Sequence, residues 1–316
     1  MTSVPGPTLV TGAAGFAGSH LLDQLAADGV DTVAWHRPGG HAPVAVRGVR
    51  WQGVDLLDRA SVSEAMEAVK PSVIFHCAGA AHVGQAWSAT ANTLRVNVLG
   101  THHLVEALRS HVPDAALLIT SSALVYGPSH EAIGEEHPLT PNNPYGLSKI
   151  AQELVGTASG GHARTFVARP FNHFGPRQDA SFVSAAFARQ IAEIEAGLKP
   201  PVIQVGNLSA QRDLTDVRDT VRAYRLMVDR GVPGRPYNIC RGEAVAIEAL
   251  LDTLVSFAKV SVDVVPDPAR YRPNDTPIVL GSPARASAEL GWTPQIPLEQ
   301  TLNDLLDYWR ARVRST

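Results

Sequence analysis

The sequence contains two cysteines, Cys77 and Cys240, and no C-x-x-C pair. Two thiols cannot build a disulfide framework, and without paired cysteines the common zinc-binding spacings are excluded. No segment reaches the roughly 20 apolar residues that a membrane span needs. The opening stretch, MTSVPGPTLVTGAAGF, has no basic run followed by an apolar one, so no signal peptide is read there. An excess of positive charge is missing as well. The 27 Lys+Arg against 30 Asp+Glu leave −3, which provides no basic surface for nucleic acid. Histidine is plentiful at 12 residues, but these are scattered, with no H-E-x-x-H and no carboxylate cluster, so no metal is expected. The expectation left by these absences is a soluble cytoplasmic protein with reduced thiols and no membrane contact. Lysine is the scarcest charge: Lys70, Lys149, Lys199 and Lys259 are the only four in a chain that otherwise uses arginine.

What is present points to a large folded unit. The 316 residues are 45% apolar and 18% charged, enough for a sizeable core. At about one domain per 150 residues, two lobes are expected. Short apolar runs at Thr8–Thr11, Thr32–Trp35, Arg50–Val54, Ser72–His76, Ala115–Ser121 and Thr165–Ala168 alternate with helical patterns. The helices are expected near Gly15–Ala27, Arg59–Val69, Thr93–Arg109 and Pro144–Ala158. Strands separated by long helices imply right-handed crossovers and an α/β fold with a Rossmann-type, doubly wound parallel sheet. Past Arg169 the pattern breaks at Pro170, Gly175 and Pro176, and a helix follows around Phe182–Ala196. Residues 1–169, with returning segments from the second half, are therefore read as a nucleotide-binding domain. Residues 170–316 are read mainly as a smaller α/β substrate lobe, with the ligand cleft between the two.

Gly12-Ala-Ala-Gly15-Phe16-Ala17-Gly18 follows the first strand directly and opens its helix. Gly12 permits a tight turn, Gly15 lets backbone approach a pyrophosphate, and Gly18 allows close helix–sheet packing. The helix start offers free N–H groups and a positive dipole end to phosphate. The second strand ends at His36-Arg37 with no carboxylate for a ribose 2′-hydroxyl, which favours NADP(H) over NAD(H). Asp55 and Leu56, after the third strand, are placed to meet the adenine edge, with capping of the next turn as the competing role for Asp55.

Tyr145-Gly-Leu-Ser-Lys149 sets a phenol and an ammonium on one helix face. Asn143 suits the N-cap and Pro144 the first helical position. A neighbouring ammonium is expected to lower the Tyr145 pKa and bring it into use as a proton carrier. Ser121 and Ser122 close the strand before it, and Ser122 is chosen as the hydroxyl that completes the set.

These segments, together with Asn97-Val-Leu-Gly-Thr101 and Arg169-Pro-Phe-Asn172, resemble an extended short-chain dehydrogenase/reductase of the nucleotide-sugar epimerase/dehydratase group. The resemblance covers essentially the whole chain. It implies Ser122, Tyr145 and Lys149 as catalytic residues, a structural Asn97, and Ala78 and Pro170 as further cofactor contacts. The later motifs, Arg169–Gln178, Gln211–Val217, Tyr237–Cys240 and Arg272–Asp275, are similar to the GDP-sugar branch. They imply that Asn172, Arg212 and Arg272 hold a nucleotide diphosphate, assisted by Arg177, Gln178 and Asn238. Sugar 4,6-dehydratases of this family carry acid and base carboxylates just after the Ser122 position, where this chain has Ala123 and Leu124. The related 3,5-epimerase/reductases use a Cys and a His; here Ser122–Ala123 and Arg177 occupy those places. The implied activity is NADPH-dependent reduction of the C4 ketone of GDP-4-keto-6-deoxy-D-mannose to GDP-D-rhamnose. Two alternatives stay open: a nucleotide-sugar 4-epimerase that retains NAD, and a non-catalytic NADP-binding sensor. A homodimer formed through the helices near Thr93–Arg109 and Pro144–Ala158 is a further implication.

Overall fold

The computed structural model describes residues 6–40, 46–158, 164–271 and 276–315. The first half runs β1 (Thr8–Thr11), α1 (Phe16–Ala27), β2 (Thr32–His36), β3 (Val49–Gly53), α2 (Arg59–Val69), β4 (Val73–His76), α3 (Val83–Ser88), α4 (Thr90–Leu94), α5 (Gly100–His111), β5 (Ala116–Thr120), α6 (Pro144–Thr157) and β6 (Arg164–Pro170). It is followed by β7 (Asn172–Phe174), α7 (Val183–Glu195), β8 (Val202–Val205), β9 (Gln211–Asp216), α8 (Val217–Arg230), β10 (Pro236–Ile239) and β11 (Ala244–Ala246). The chain closes with α9 (Ile247–Ser256), β12 (Asp263–Pro266), β13 (Ile278–Val279), α10 (Ala284–Leu290) and α11 (Leu298–Arg314).

Seven parallel strands form the main sheet in the order β10-β6-β5-β4-β1-β2-β3. Its order reverses between β1 and β4, the switch point at which doubly wound sheets place ligands. Period-two alternation sends successive side chains to opposite layers. Leu117 and Ile119 of β5 pack with α2 and α5, whereas Ala116 and Leu118 pack with α1 and α8. The strand β10 pairs with β6, and α8 and α10 pack on the same sheet, so the second half returns to complete the first lobe. A separate core gathers α7, α9 and α11 around β8 and β9. There β9 pairs with β7 and β13 in parallel and with β11 antiparallel.

The expected strands and helices are found to within a residue or two, with one exception. The single helix read over Thr93–Arg109 is interrupted by a π-turn, Arg95–Leu99, in which the Gly100 N–H reaches the Arg95 carbonyl. The widened turn lies where the fully buried Asn97 reaches across to the loop after β4. A 3.6-residue pattern has no mark for such an insertion, because it depends on a tertiary hydrogen bond.

One buried ion pair staples α6 to β6. Arg169 donates to both Glu153 oxygens, at 2.9 and 2.7 Å, and a third N–H reaches the Tyr126 hydroxyl at 2.9 Å. Both residues of the pair are buried, and removing one charge strands the other in a low-dielectric setting. Arg169→Leu is expected to cost about 3–5 kcal/mol in denaturant unfolding. The double variant Arg169→Leu/Glu153→Leu is expected to recover much of that loss.

Candidate active site

Helix α6 begins as the sequence suggests. The Asn143 side chain accepts the Gly146 N–H at 2.8 Å, and Pro144 follows the cap. The helix then lies very close to the Ala123–Val125 turn. A Cβ on Gly146 would sit 2.1 Å from the Leu124 carbonyl oxygen, so only glycine fits there. This approach carries Tyr145 to Ser122, whose hydroxyl hydrogen-bonds the phenol. The Leu124 N–H donates to the Ser122 oxygen at 3.1 Å, which leaves the serine proton for Tyr145. Ser121 is drawn elsewhere, onto the buried carboxylate of Glu153. The two serines thus differ in that only Ser121 meets the ion pair.

Lys149 lies one turn further along. Its Nζ donates to the Thr120 carbonyl at 2.8 Å and to Gln152 Oε1 at 2.9 Å, and it stands 5.6 Å from the centre of the Tyr145 ring. Burial lowers its pKa to about 8, with the nearby Cys77 and Glu153 opposing the shift. Burial pushes Tyr145 the other way, up to about 12, and the Ser122 hydrogen bond only partly offsets this. The expectation that Lys149 would lower the Tyr145 pKa is therefore corrected. Both groups lose solvent together, and the ammonium directs its bonds to Thr120 and Gln152. A phenol in this state keeps its proton at neutral pH and can donate it.

The glycine turn forms a cradle of backbone. Gly12 has φ +64°, and a Cβ there would meet the Ala78 nitrogen at 2.5 Å; a Cβ on Gly18 would meet the Gly12 carbonyl at 2.3 Å. Asp58, Asn143 and Asp216 cap their helices with side chains, but α1 starts at Gly15 with no side-chain cap, over Phe16 and Ala17. Uncapped N–H groups, a positive dipole end and no intruding Cβ suit a pyrophosphate. At the end of β2, His36 is half-buried and Arg37 exposed, and neither has a carboxylate as its neighbour in sequence. Asp55 is exposed and accepts the Leu57 N–H at 2.9 Å, while Leu56 packs against Gly100. Pro170 ends β6, paired with Ile239.

The residues read as substrate contacts separate into groups. Asn172 is exposed at the start of β7, and the next residue, His173, stacks on Phe16 with ring centroids 5.6 Å apart. Gln178 is buried; its amide nitrogen reaches the His173 carbonyl at 3.0 Å, and its oxygen has no partner among the described residues. Arg212 donates to the Gln211 and Thr276 carbonyls at 2.7 and 2.8 Å. Arg272 lies outside the described residues. Arg177 is paired with Asp23 of α1, and Asn238 is fully buried with its amide held by the Tyr126 hydroxyl at 2.8 Å and the Ile133 carbonyl at 2.9 Å. Pairing of β10 with β6 is what buries Asn238. Residues the sequence did not single out also converge here. Gln152 and His76 lie beneath Lys149 as buried polar groups, a feature that no local pattern announces.

The model of the GDP-mannose 4,6 dehydratase family matches residues 9–305. The chain belongs to that family. It is 39% identical over 312 residues to the GDP-6-deoxy-D-mannose reductase of Pseudomonas aeruginosa, an alignment covering 96% of this chain and 97% of that protein. Among solved structures, RMD from Pseudomonas aeruginosa complexed with NADPH is 35% identical, with a TM-score of 0.85 and coverage of 97% of this chain and 99% of that one. The UDP-glucose 4-epimerase of Thermus thermophilus in complex with NAD is 30% identical, with a TM-score of 0.84 over 96% and 99% of the two chains. The family expected from the motifs and the α/β parallel sheet agree with these matches, and no helix among the described residues is long and apolar enough to cross a membrane.

Since the seating of α6 depends on Gly146, Gly146→Ala is expected to lower stability by about 3 kcal/mol, the upper part of the usual overpacking range. Thermal and urea unfolding of the cofactor-free protein check this.

Proposed function

We propose that the protein reduces the C4 ketone of a GDP-4-keto-6-deoxyhexose, GDP-4-keto-6-deoxy-D-mannose to GDP-D-rhamnose, with NADPH as reductant. The observation that carries this reading is a buried Tyr145 held by Ser122 beside Lys149, on a helix start packed on Ala123 and Leu124, which have no proton to exchange. Elimination of water needs an acid and a base at the sugar, whereas reduction of a ketone needs only one proton donor. The 39% identity to a reductase of a GDP-6-deoxy sugar supports the same choice.

When bound, NADPH supplies the hydride that the carbonyl carbon accepts. Tyr145 gives its proton to the ketone oxygen, and Ser122 hydrogen-bonds that oxygen as negative charge develops. Lys149 steadies the phenolate that Tyr145 becomes. Two of its three ammonium protons go to Thr120 and Gln152 on the protein side, which leaves the third for a cofactor ribose. The Gly12–Gly18 turn, with Phe16 and Ala17, takes the pyrophosphate. His36 and Arg37 favour a 2′-phosphate, while Asp55, Leu56, Ala78 and Pro170 frame the rest of the cofactor; NAD(H) remains the alternative. On the substrate side, Asn172 and Arg212 hold the diphosphate, with Gln178 and, by resemblance, Arg272 beside them. Arg177, paired with Asp23, and the buried Asn238 belong to the same set, each already held by the protein.

A homodimer belongs to the same reading. Leu99, just before α5, and Leu147 and Leu154, along α6, are large apolar side chains left open to solvent. Light scattering is expected to give twice the chain mass, and Leu154→Glu to shift it toward one copy.

Mixing the protein with GDP-4-keto-6-deoxy-D-mannose and NADPH is expected to oxidise the nucleotide; no oxidation at saturating substrate overturns the reading. Tyr145→Phe is expected to lower kcat by about a thousandfold while NADPH still raises the melting temperature. Wild-type kcat is expected to fall as pH rises through about 8, where Lys149 loses its proton, while Tyr145, at about 12, remains protonated.

A further inference from the structure

Beneath Lys149 lies a line of fully buried polar side chains, Gln152, Thr101, His76 and Thr11. The polarity of this line follows from counting protons. The Lys149 ammonium only donates, so the Gln152 atom 2.9 Å away is the amide oxygen. The amide nitrogen then donates to Thr101 Oγ1 at 3.0 Å. Thr101 has one hydroxyl proton, and it goes to the Asn97 carbonyl at 2.7 Å, inside the π-turn. Its oxygen therefore accepts from His76 Nε2 at 2.8 Å. Burial holds His76 neutral, with a pKa near 3, so Nδ1 carries no proton and accepts the Thr11 hydroxyl at 2.7 Å. Thr11 is the residue before Gly12, and its oxygen receives the Ala78 N–H at 3.4 Å.

We infer that Gln152 is a positioning residue for Lys149: its carbonyl oxygen anchors the amine, and the chain Thr101–His76–Thr11 fixes which end of the amide faces the lysine. Turning the amide over would set a donor against the ammonium and would force the Thr101 proton off Asn97, leaving buried groups unpaired. The lysine is thereby tied to the strand end that opens the phosphate turn. The consequence for catalysis rests on the reductase reading; the anchoring does not.

The titratable groups around the amine are Cys77 and His76 from the β4 end and Tyr145 and Glu153 from α6; the Thr120 carbonyl faces it from β5. The chain's four lysines make the test direct. Cofactor-free protein labelled with 13C-lysine is titrated by NMR, and the Lys149 signal is assigned by its loss in Lys149→Met. In the wild type it is expected to titrate near 8. In Gln152→Met the midpoint is expected to fall by about one pH unit, a tenfold change in the ionisation constant. In Gln152→Glu, which keeps an oxygen on the amine and adds a charge, it is expected to rise by a similar amount. Opposite shifts from two side chains of similar length are a result that general loosening cannot produce. Unchanged titration in both variants, or movement in the same direction in both, overturns the inference. If either variant fails to fold, Thr101→Val decides: freeing the amide is expected to lower the Lys149 midpoint, and no shift overturns the proposal. At pH 8, kcat of Gln152→Met is expected to fall severalfold, with KM for the sugar unchanged. A wild type that leaves NADPH unoxidised sinks the reductase reading alone, because the lysine titration needs neither substrate nor cofactor.

Discussion

Helix α6 lies against the Ala123–Val125 turn at a distance that only glycine permits, since a Cβ at Gly146 would be 2.1 Å from the Leu124 carbonyl oxygen. Because the helix comes this close, Tyr145 reaches Ser122, Lys149 reaches the Thr120 carbonyl, and Glu153 reaches Arg169. Three contacts of different chemistry thus depend on one spacing. The same approach excludes water from the first turns of α6, and that exclusion gives the site its electrostatic character.

Loss of solvent acts on the two key groups in opposite senses. It penalises the phenolate and keeps Tyr145 protonated, and it penalises the ammonium and brings Lys149 down to about 8. A donor that holds its proton and a cation near its titration point suit the reduction of a ketone. Without carboxylates at Ala123 and Leu124, the family's dehydration chemistry has no acid or base to use.

Much of the fold could be read along the chain because the signals are local. The short apolar runs of β1 and β5, the glycines after β1, the Asn143 cap and the four-residue spacing of Tyr145 and Lys149 depend on neighbours within a turn or two. Other features are invisible at that range. The π-turn at Arg95–Leu99 depends on Asn97 meeting a loop 17 residues away at Ala80. The burial of Asn238 depends on β10 pairing with β6. Ser121 and Ser122 are indistinguishable until Glu153 takes one of them. The scarce lysine at 149 stood out in composition, but the amide that holds it did not.

The sequence by itself determined the parallel α/β architecture, the phosphate turn and the family, since periodicity, backbone freedom at glycine and short motif spacings survive in one dimension. Tertiary structure alone decided the burial that shifts Tyr145 and Lys149, the partner that Ser121 takes and the contacts of Gln152. Each of these depends on desolvation or on a hydrogen bond between segments distant in the chain, and neither exists until the sheet and α6 have closed on one another.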